Sequence, residues 1–217
     1  TQSLAYEIAM HWQGLTPVTR TMLQDQGRTS EAEYRAAMGE LPESEIRTRM
    51  LRYLDHVEST PLEEQQKDYV DTFDMTKTHA LHLSYWTDGD TRRRGEVLGY
   101  FKQKYRDTGF LVATGGELPD HLTIVLEYAA VADPVAGSAL LQEYRASIEL
   151  LRMSLEDDES PYVDVITSIC RTLPGPSPKT RSQVMDMVGL KLIQPTETVG
   201  LEPYDARLLP LSGEVHS

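Results

Sequence analysis

Only one cysteine, Cys170, occurs in the 217 residues. An intramolecular disulfide and a cysteine-built metal site are thereby excluded, and a reducing compartment fits best. There is also no Gly-x-Ser-x-Gly turn and no Gly-x-x-x-x-Gly-Lys loop, so the usual signs of a serine nucleophile and of a phosphate cradle are missing. Gly115-Gly116 is a lone pair, not such a cradle. No stretch approaches the roughly 18 to 20 apolar residues of a membrane span, and no basic segment followed by an apolar core opens the sequence. Neither export nor direct membrane insertion is expected. Positive charge is scarce as well, with 21 Lys and Arg against 34 Asp and Glu and a formal charge of -13. Nucleic acid is therefore not an expected partner, because phosphate backbones are bound by clustered cations. Basic peptide segments suit this charge better.

What is present reads as one soluble domain. Forty per cent of the residues are hydrophobic and 25% are charged, an ordinary balance for a globular chain of this length. Cys170 shares an apolar helical face with Val163, Ile166 and Ile169, which points to packing rather than reactivity. The one dense basic spot, Arg92-Arg93-Arg94, is flanked by Asp88, Asp90 and Glu96 and reads as a solvated helix start.

The periodicity is helical. Leu4, Ile8, Trp12 and Leu15 fit one helix, and Ile46, Met50, Leu54 and Val57 another after Pro42. Thr60-Pro61-Leu62-Glu63 has the order of a capping box, opening a helix to about Phe73 with Leu62, Tyr69, Val70 and Phe73 on its inner face. Thr91 is placed to cap a helix carrying Val97, Leu98, Phe101 and Tyr105, with Gly109 as its stop. Pro119 predicts the start of a helix bearing Leu122, Val125, Leu126 and Ala129, interrupted at Asp133-Pro134. One long helix follows through Leu140, Leu141, Tyr144, Ile148, Leu151 and Leu155, with the acids at 156–159 assigned to a turn. Ser160-Pro161 restarts helix, the proline-rich stretch 173–178 ends it, and Val184, Met185, Met187 and Val188 suggest one more. The helical domain is placed at 1–194 and a mobile or loosely docked tail at 195–217. In 79–86, apolar residues alternate at Leu81, Leu83 and Tyr85 as in a strand, but with no visible partner strand, helix is assigned here too.

His79 and His82, three residues apart, are the sharpest metal candidates, yet no third ligand or base stands at motif spacing. One packed and one solvated histidine is the reading adopted, with a metal-dependent helical-bundle hydrolase kept as the alternative. Glu117-Leu118-Pro119-Asp120-His121-Leu122 places an acid and a histidine beside a proline-fixed helix start, where backbone N–H groups have no intrahelical partner.

That block, followed by Val125-Leu126-Glu127-Tyr128 and preceded by Tyr69-Val70-Asp71-Thr72-Phe73-Asp74, Arg94-Gly95 and the 105–109 segment, strongly resembles the nitrate reductase molybdenum cofactor assembly chaperones. These belong to a wider family of TorD-like helical chaperones for molybdenum-containing reductases. The resemblance covers about residues 60 to 130. The N-terminal helix keeps Tyr6 but lacks the proline that follows it in many relatives.

The resemblance implies an all-α, single-domain helical bundle and a cytoplasmic, non-catalytic protein without a cofactor of its own. Its implied partner is the catalytic alpha subunit of nitrate reductase, bound notably by its N-terminal segment while the molybdenum cofactor is inserted; another molybdoenzyme is the alternative target. The implied peptide-binding residues are Asp120 and His121, with Glu117, Pro119 and Leu122 from the same block and Tyr69 and Phe73 as groove or core residues. On this reading the peptide lays an apolar helical face into a groove. Asp120 pairs with an Arg or Lys of the peptide, and His121, titrating near 6.5, makes binding pH-dependent. A monomer or a homodimer is expected, with the 174–178 loop as a candidate hinge for segment exchange.

Overall fold

The computed structural model describes residues 31–89, 92–109 and 117–187. Among them the chain is all-α, and the one strand-like feature is an isolated bridge between His82 and His121. The helix expected around Leu4 to Leu15, the cap at Thr91 and the tail at 195–217 lie outside the described residues.

Helix α1 (Glu31–Glu40) packs on α2 (Glu45–Ser59). Ser44 caps α2 by accepting the Arg47 N–H at 3.2 Å, and the inner stripe Met50, Leu54 and Val57 is buried as its spacing predicts. The corner into α3 (Leu62–Tyr69) differs from expectation, because the Thr60 hydroxyl turns back to donate to the His56 carbonyl at 2.7 Å. No capping box forms. Gln65 secures the corner instead, donating to the carbonyls of Val57 at 2.7 Å and Thr60 at 2.5 Å.

Helix α3 runs on into a π-helical turn, Val70–Asp74, which is followed by a 3-10 turn, Lys77–His79, and the short α4 (Tyr85–Asp88). Helix α5 (Arg92–Asp107) stops at Gly109, whose φ of +73° is the left-handed conformation expected there. Helix α6 (Leu122–Glu127) ends in a second π turn, Tyr128–Ala132. It begins three residues later than Pro119 suggested, since 119–121 are held in a turn and a bridge. Asp133 caps α7 (Pro134–Glu143), accepting from the N–H groups of Val135 and Ala136 at 3.0 and 2.9 Å. The single long helix expected next is two, broken at Tyr144 (φ -98°, ψ 19°) before α8 (Arg145–Asp157). Of the acidic run, Glu156 and Asp157 belong to α8, while Asp158 and Glu159 form the turn. Helices α9 (Val163–Thr172) and α10 (Arg181–Met187) complete the described chain.

Helix α8 is the hub, meeting α4, α7, α9, α10 and the 3-10 turn. It is buried nearly all round. Ile148, Leu151 and Leu155 fill the centre, each worth about 1.5–3 kcal/mol of burial. Cys170 packs there too, its thiol pushed well above its usual value by burial and the nearby Glu149. Glu149, with no exposed surface, lies between Arg145 at 3.4 Å and Arg152 at 2.8 Å. Arg145 also donates to the carbonyls of Pro174 and Gly175, and Arg152 to that of Pro178 at 3.0 Å. The proline-rich loop proposed as a hinge is thus tied to the hub at three carbonyls.

The second π turn lets α7 approach very closely. A Cβ built on Gly137 falls 2.3 Å from the Ala129 Cα, a backbone atom that cannot move aside. Gly137→Ala is expected to lower unfolding stability by about 1–3 kcal/mol, read as a shift in the urea midpoint; an unchanged midpoint would show that α7 and the π turn have slack.

Candidate functional site

Between the 3-10 turn and α4 the chain is extended through His82 before turning at Leu83 and Ser84, and its partner is the stretch just before α6. Leu83 donates its N–H to the Asp120 carbonyl at 3.0 Å, and Leu122 donates to the Leu81 carbonyl at 2.8 Å. Alternation at Leu81 and Leu83 therefore marked a short extended stretch, and the helix assigned to 79–86 is corrected at 80–84, while His79 in the 3-10 turn and Tyr85 and Trp86 in α4 are helical. Leu81 and Leu83 point into the core, 5% and 1% exposed, as alternate positions on one face must.

Asp120 locks this crossing. Its carboxylate has no exposed surface; Oδ2 accepts from the Ser84 N–H at 3.2 Å and the Ser84 hydroxyl at 2.6 Å. His82 Nδ1 lies 3.4 Å from Oδ1, and the Arg94 guanidinium 3.8 Å from Oδ2. Burial pushes this carboxyl up, but hydrogen bonds from His82 and Ser84, with the charges of His82 and Arg94, outweigh it and hold the group below its ordinary value. Tyr105 steadies the same turn, its hydroxyl donating to the Pro119 carbonyl at 2.6 Å.

Over this floor opens a cleft of about 550 Å³. Tyr69, Phe73 and Asp74 line it from α3 and the first π turn, and Thr76, Lys77, Ala80, Leu81 and His82 from the connecting segment. Tyr85, Arg94, Glu117 and His121 close it. The π turn, with its one extra residue per turn, is what carries Phe73 and Asp74 to the same wall. Phe73 stands edge-on to Tyr162 at 4.8 Å and beside Tyr69 at 5.0 Å, so that wall is rigid. The Tyr69 hydroxyl is pushed up to about 12 by burial and by the charges of Asp74 and Glu117, which places both acids at its end of the cleft.

Of the residues named from sequence, Tyr69, Phe73, Glu117 and His121 line the cleft together. Asp120, Pro119 and Leu122 are buried beneath it. Asp120 is thus committed to Ser84, His82 and Arg94 and offers no exposed atom to a peptide cation, contrary to the pairing expected for it. His79 and His82 diverge: buried His79 bridges the Thr72 carbonyl at 3.0 Å and Asp158 at 3.2 Å, whereas His82 turns to the cleft. No group of three or more metal-ligating side chains occurs among the described residues. Sequence reasoning missed Asp74, Lys77, Ser84 and Tyr85, and took Arg94 for part of a solvated helix start although its side chain is only 14% exposed.

The model of a protein family described as the nitrate reductase delta subunit matches residues 31–168. The chain belongs to that family. Both walls and the floor of the cleft fall inside the matched span. Over 104 residues, 48% of the chain, it is 46% identical to the nitrate reductase-like protein NarX of Mycobacterium tuberculosis H37Rv, but it spans only 16% of that protein. It is 30% identical over 142 residues to the probable nitrate reductase molybdenum cofactor assembly chaperone NarJ of Bacillus subtilis, covering 65% of this chain and 77% of that one. With the NarJ assembly chaperone of Escherichia coli K12 it shares 28% identity over 140 residues, 63% of this chain and 58% of that one. Among the described residues of this delta-subunit family member, no helix is long and apolar enough to cross a membrane.

His121 packs its ring on His82 at 5.1 Å, edge to face, and pairs with the Thr123 hydroxyl through Nδ1. Burial, and secondarily the charge of His82, drive it down to about 4 against the opposing pull of Asp120. It is therefore neutral from pH 5 to 8, which corrects the expectation of titration near 6.5. Between pH 6.5 and about 4 the unfolded chain takes up a proton here that the folded chain refuses, so stability falls on acidification across that window. His121→Gln is expected to make that fall shallower, by up to about one proton, in urea unfolding followed against pH; an unaltered slope would contradict the burial of His121.

Proposed function

We propose that this chain is an assembly chaperone for a molybdenum-containing nitrate reductase. It binds the apo form of the catalytic alpha subunit, notably its N-terminal segment, while the molybdenum cofactor is inserted and before the complex attaches to the membrane. It works in the cytoplasm, by binding and release and not by catalysis, and holds no cofactor of its own. The names of the NarJ relatives support this reading. The observation that carries it is the cleft itself, with aromatic and aliphatic walls, acids at one end and a floor fixed by a buried carboxylate.

In this reading an amphipathic helix of the target lays its apolar face on Tyr69, Phe73 and Leu81, the helix-in-groove mode of recognition. Glu117 and Asp74 meet its basic side chains, in keeping with the chain's charge of -13, and speed association more than they add affinity. His121 contributes a neutral ring to the wall. Asp120, Pro119 and Leu122 serve from below, holding the wall in shape. A related molybdoenzyme as target is told apart by which N-terminal peptide binds.

Calorimetric titration of the full chain with a synthetic peptide from the N-terminus of the cognate catalytic subunit is the test. Saturable binding is expected, weakened about tenfold or more by Tyr69→Ala and unaffected by Val135→Ser at the 81% exposed start of α7, which does not line the cleft. Equal losses for both variants, or no binding by the wild type, would remove the assignment of this cleft.

A further inference from the structure

The one strand-like pairing among the described residues sets two histidines side by side. Leu83 donates to the Asp120 carbonyl and Leu122 to that of Leu81. His82 and His121, directly opposite between those bonds, are therefore the non-hydrogen-bonded pair of an antiparallel crossing, the kind whose side chains stand closest and on one face. Both line the cleft, and their ring centres are 5.1 Å apart. Two imidazoles sharing one zinc ion at about 2.0–2.1 Å from each nitrogen have their centres about 5 Å apart.

Each ring is also held through Nδ1. His121 pairs there with the Thr123 hydroxyl, and His82 Nδ1 faces Asp120 Oδ1 at 3.4 Å. That carboxylate oxygen is buried without a hydrogen-bond partner, and so is His82 Nδ1. A cation on Nε2 puts the proton on Nδ1, and a short approach then gives both buried atoms their partner. Imidazoles that hold metals are commonly braced in this way by a carboxylate behind them. Among the described residues neither Nε2 has a hydrogen bond or ion pair.

We infer that His82 and His121 form a site for a divalent cation of the zinc class, held by their Nε2 atoms, with Asp120 and Thr123 as positioning residues. Imidazole nitrogens suit zinc, copper and nickel, whereas magnesium and calcium take oxygen ligands. The acids Asp74, Glu117 and Asp120 offset the charges of Lys77 and Arg94 around the pair. Two protein ligands leave the other positions to water or to a donor of whatever lies in the cleft. A catalytic zinc ordinarily has three, and no such group occurs among the described residues, so the cation is one taken up from solution and not a hydrolytic centre. His79, which sequence spacing paired with His82, is turned away to the Thr72 carbonyl and Asp158. The inference stands apart from the peptide-binding reading of the cleft.

Titration of the full chain with zinc chloride at neutral pH tests it, followed by calorimetry and by the nitrogen-15 resonances of the imidazoles. Saturable uptake is expected, with the Nε2 resonances of His82 and His121 shifting together while Nδ1 of both stays protonated. His82→Gln and His121→Gln should each weaken uptake about tenfold or more, and Thr123→Val, which removes only the brace, about tenfold. His56→Gln, on α2 and outside the cleft, should leave it unchanged. The wild-type resonances carry the test should thermal unfolding show that a variant does not fold. Uptake that leaves both imidazoles unshifted, or that keeps its full strength in both glutamine variants, is adventitious zinc elsewhere and overturns the inference. Absence of saturable uptake overturns it as well.

Discussion

A carboxylate with no exposed surface needs close partners, because desolvating it costs several kcal/mol that only they offset. Asp120 has two hydrogen bonds from Ser84 at Oδ2 and the nearby charges of His82 and Arg94, while its Oδ1 has no hydrogen-bond partner, and most of the cleft follows from where those groups must stand. Ser84 brings the 80–84 segment against the turn before α6. Arg94 draws the first part of α5 inward to the same point, and His82 is placed under the ring of His121. The result is a floor built from three segments distant in sequence, over which the π turn at Val70–Asp74 supplies a wall.

The scaffold beneath uses a second buried ionic group for a different purpose. Glu149 pairs with Arg145 and Arg152 inside the hub helix, and both arginines reach out to carbonyls of the 174–178 loop. This group fastens the far side of α8, while His79, set between the Thr72 carbonyl and Asp158, fastens the near side to the π turn. The cleft wall is therefore anchored to the end of the helix that organises the core. A wall so fixed is preorganised, and less affinity is lost to ordering it when a segment docks.

Local signals in the sequence gave a good account of the helices that depend on local signals. The stripe of α2, the interruption at Asp133-Pro134, the Gly109 stop and the proline-rich end of α9 each rest on residues within a few positions of one another. Features set by distant partners were opaque: the alternation at Leu81, Leu83 and Tyr85 was visible, but the stretch that completes it lies thirty-six residues on, from Ser84 to Asp120. The π turns left no compositional trace, so Asp74, although part of the familiar block, was not read as a site residue. Asp120 stood out within a familiar block, yet nothing in its neighbours announced that its side chain turns inward, and Arg94 looked solvated because its helix starts among acids. Tyr69, Phe73, Glu117 and His121 were legible as a set through the resemblance, and the fold brings those four together.

The central claim is that a target segment lies across the floor that Asp120 closes. Hydrogen exchange of the full chain, with and without the catalytic-subunit N-terminal peptide, tests it most directly, since amides covered or stiffened by the segment slow relative to the rest. Slowing confined to 69–85 and 117–123 is the predicted result. Slowing that instead falls on the 174–178 loop and α10, with the cleft unchanged, would contradict it.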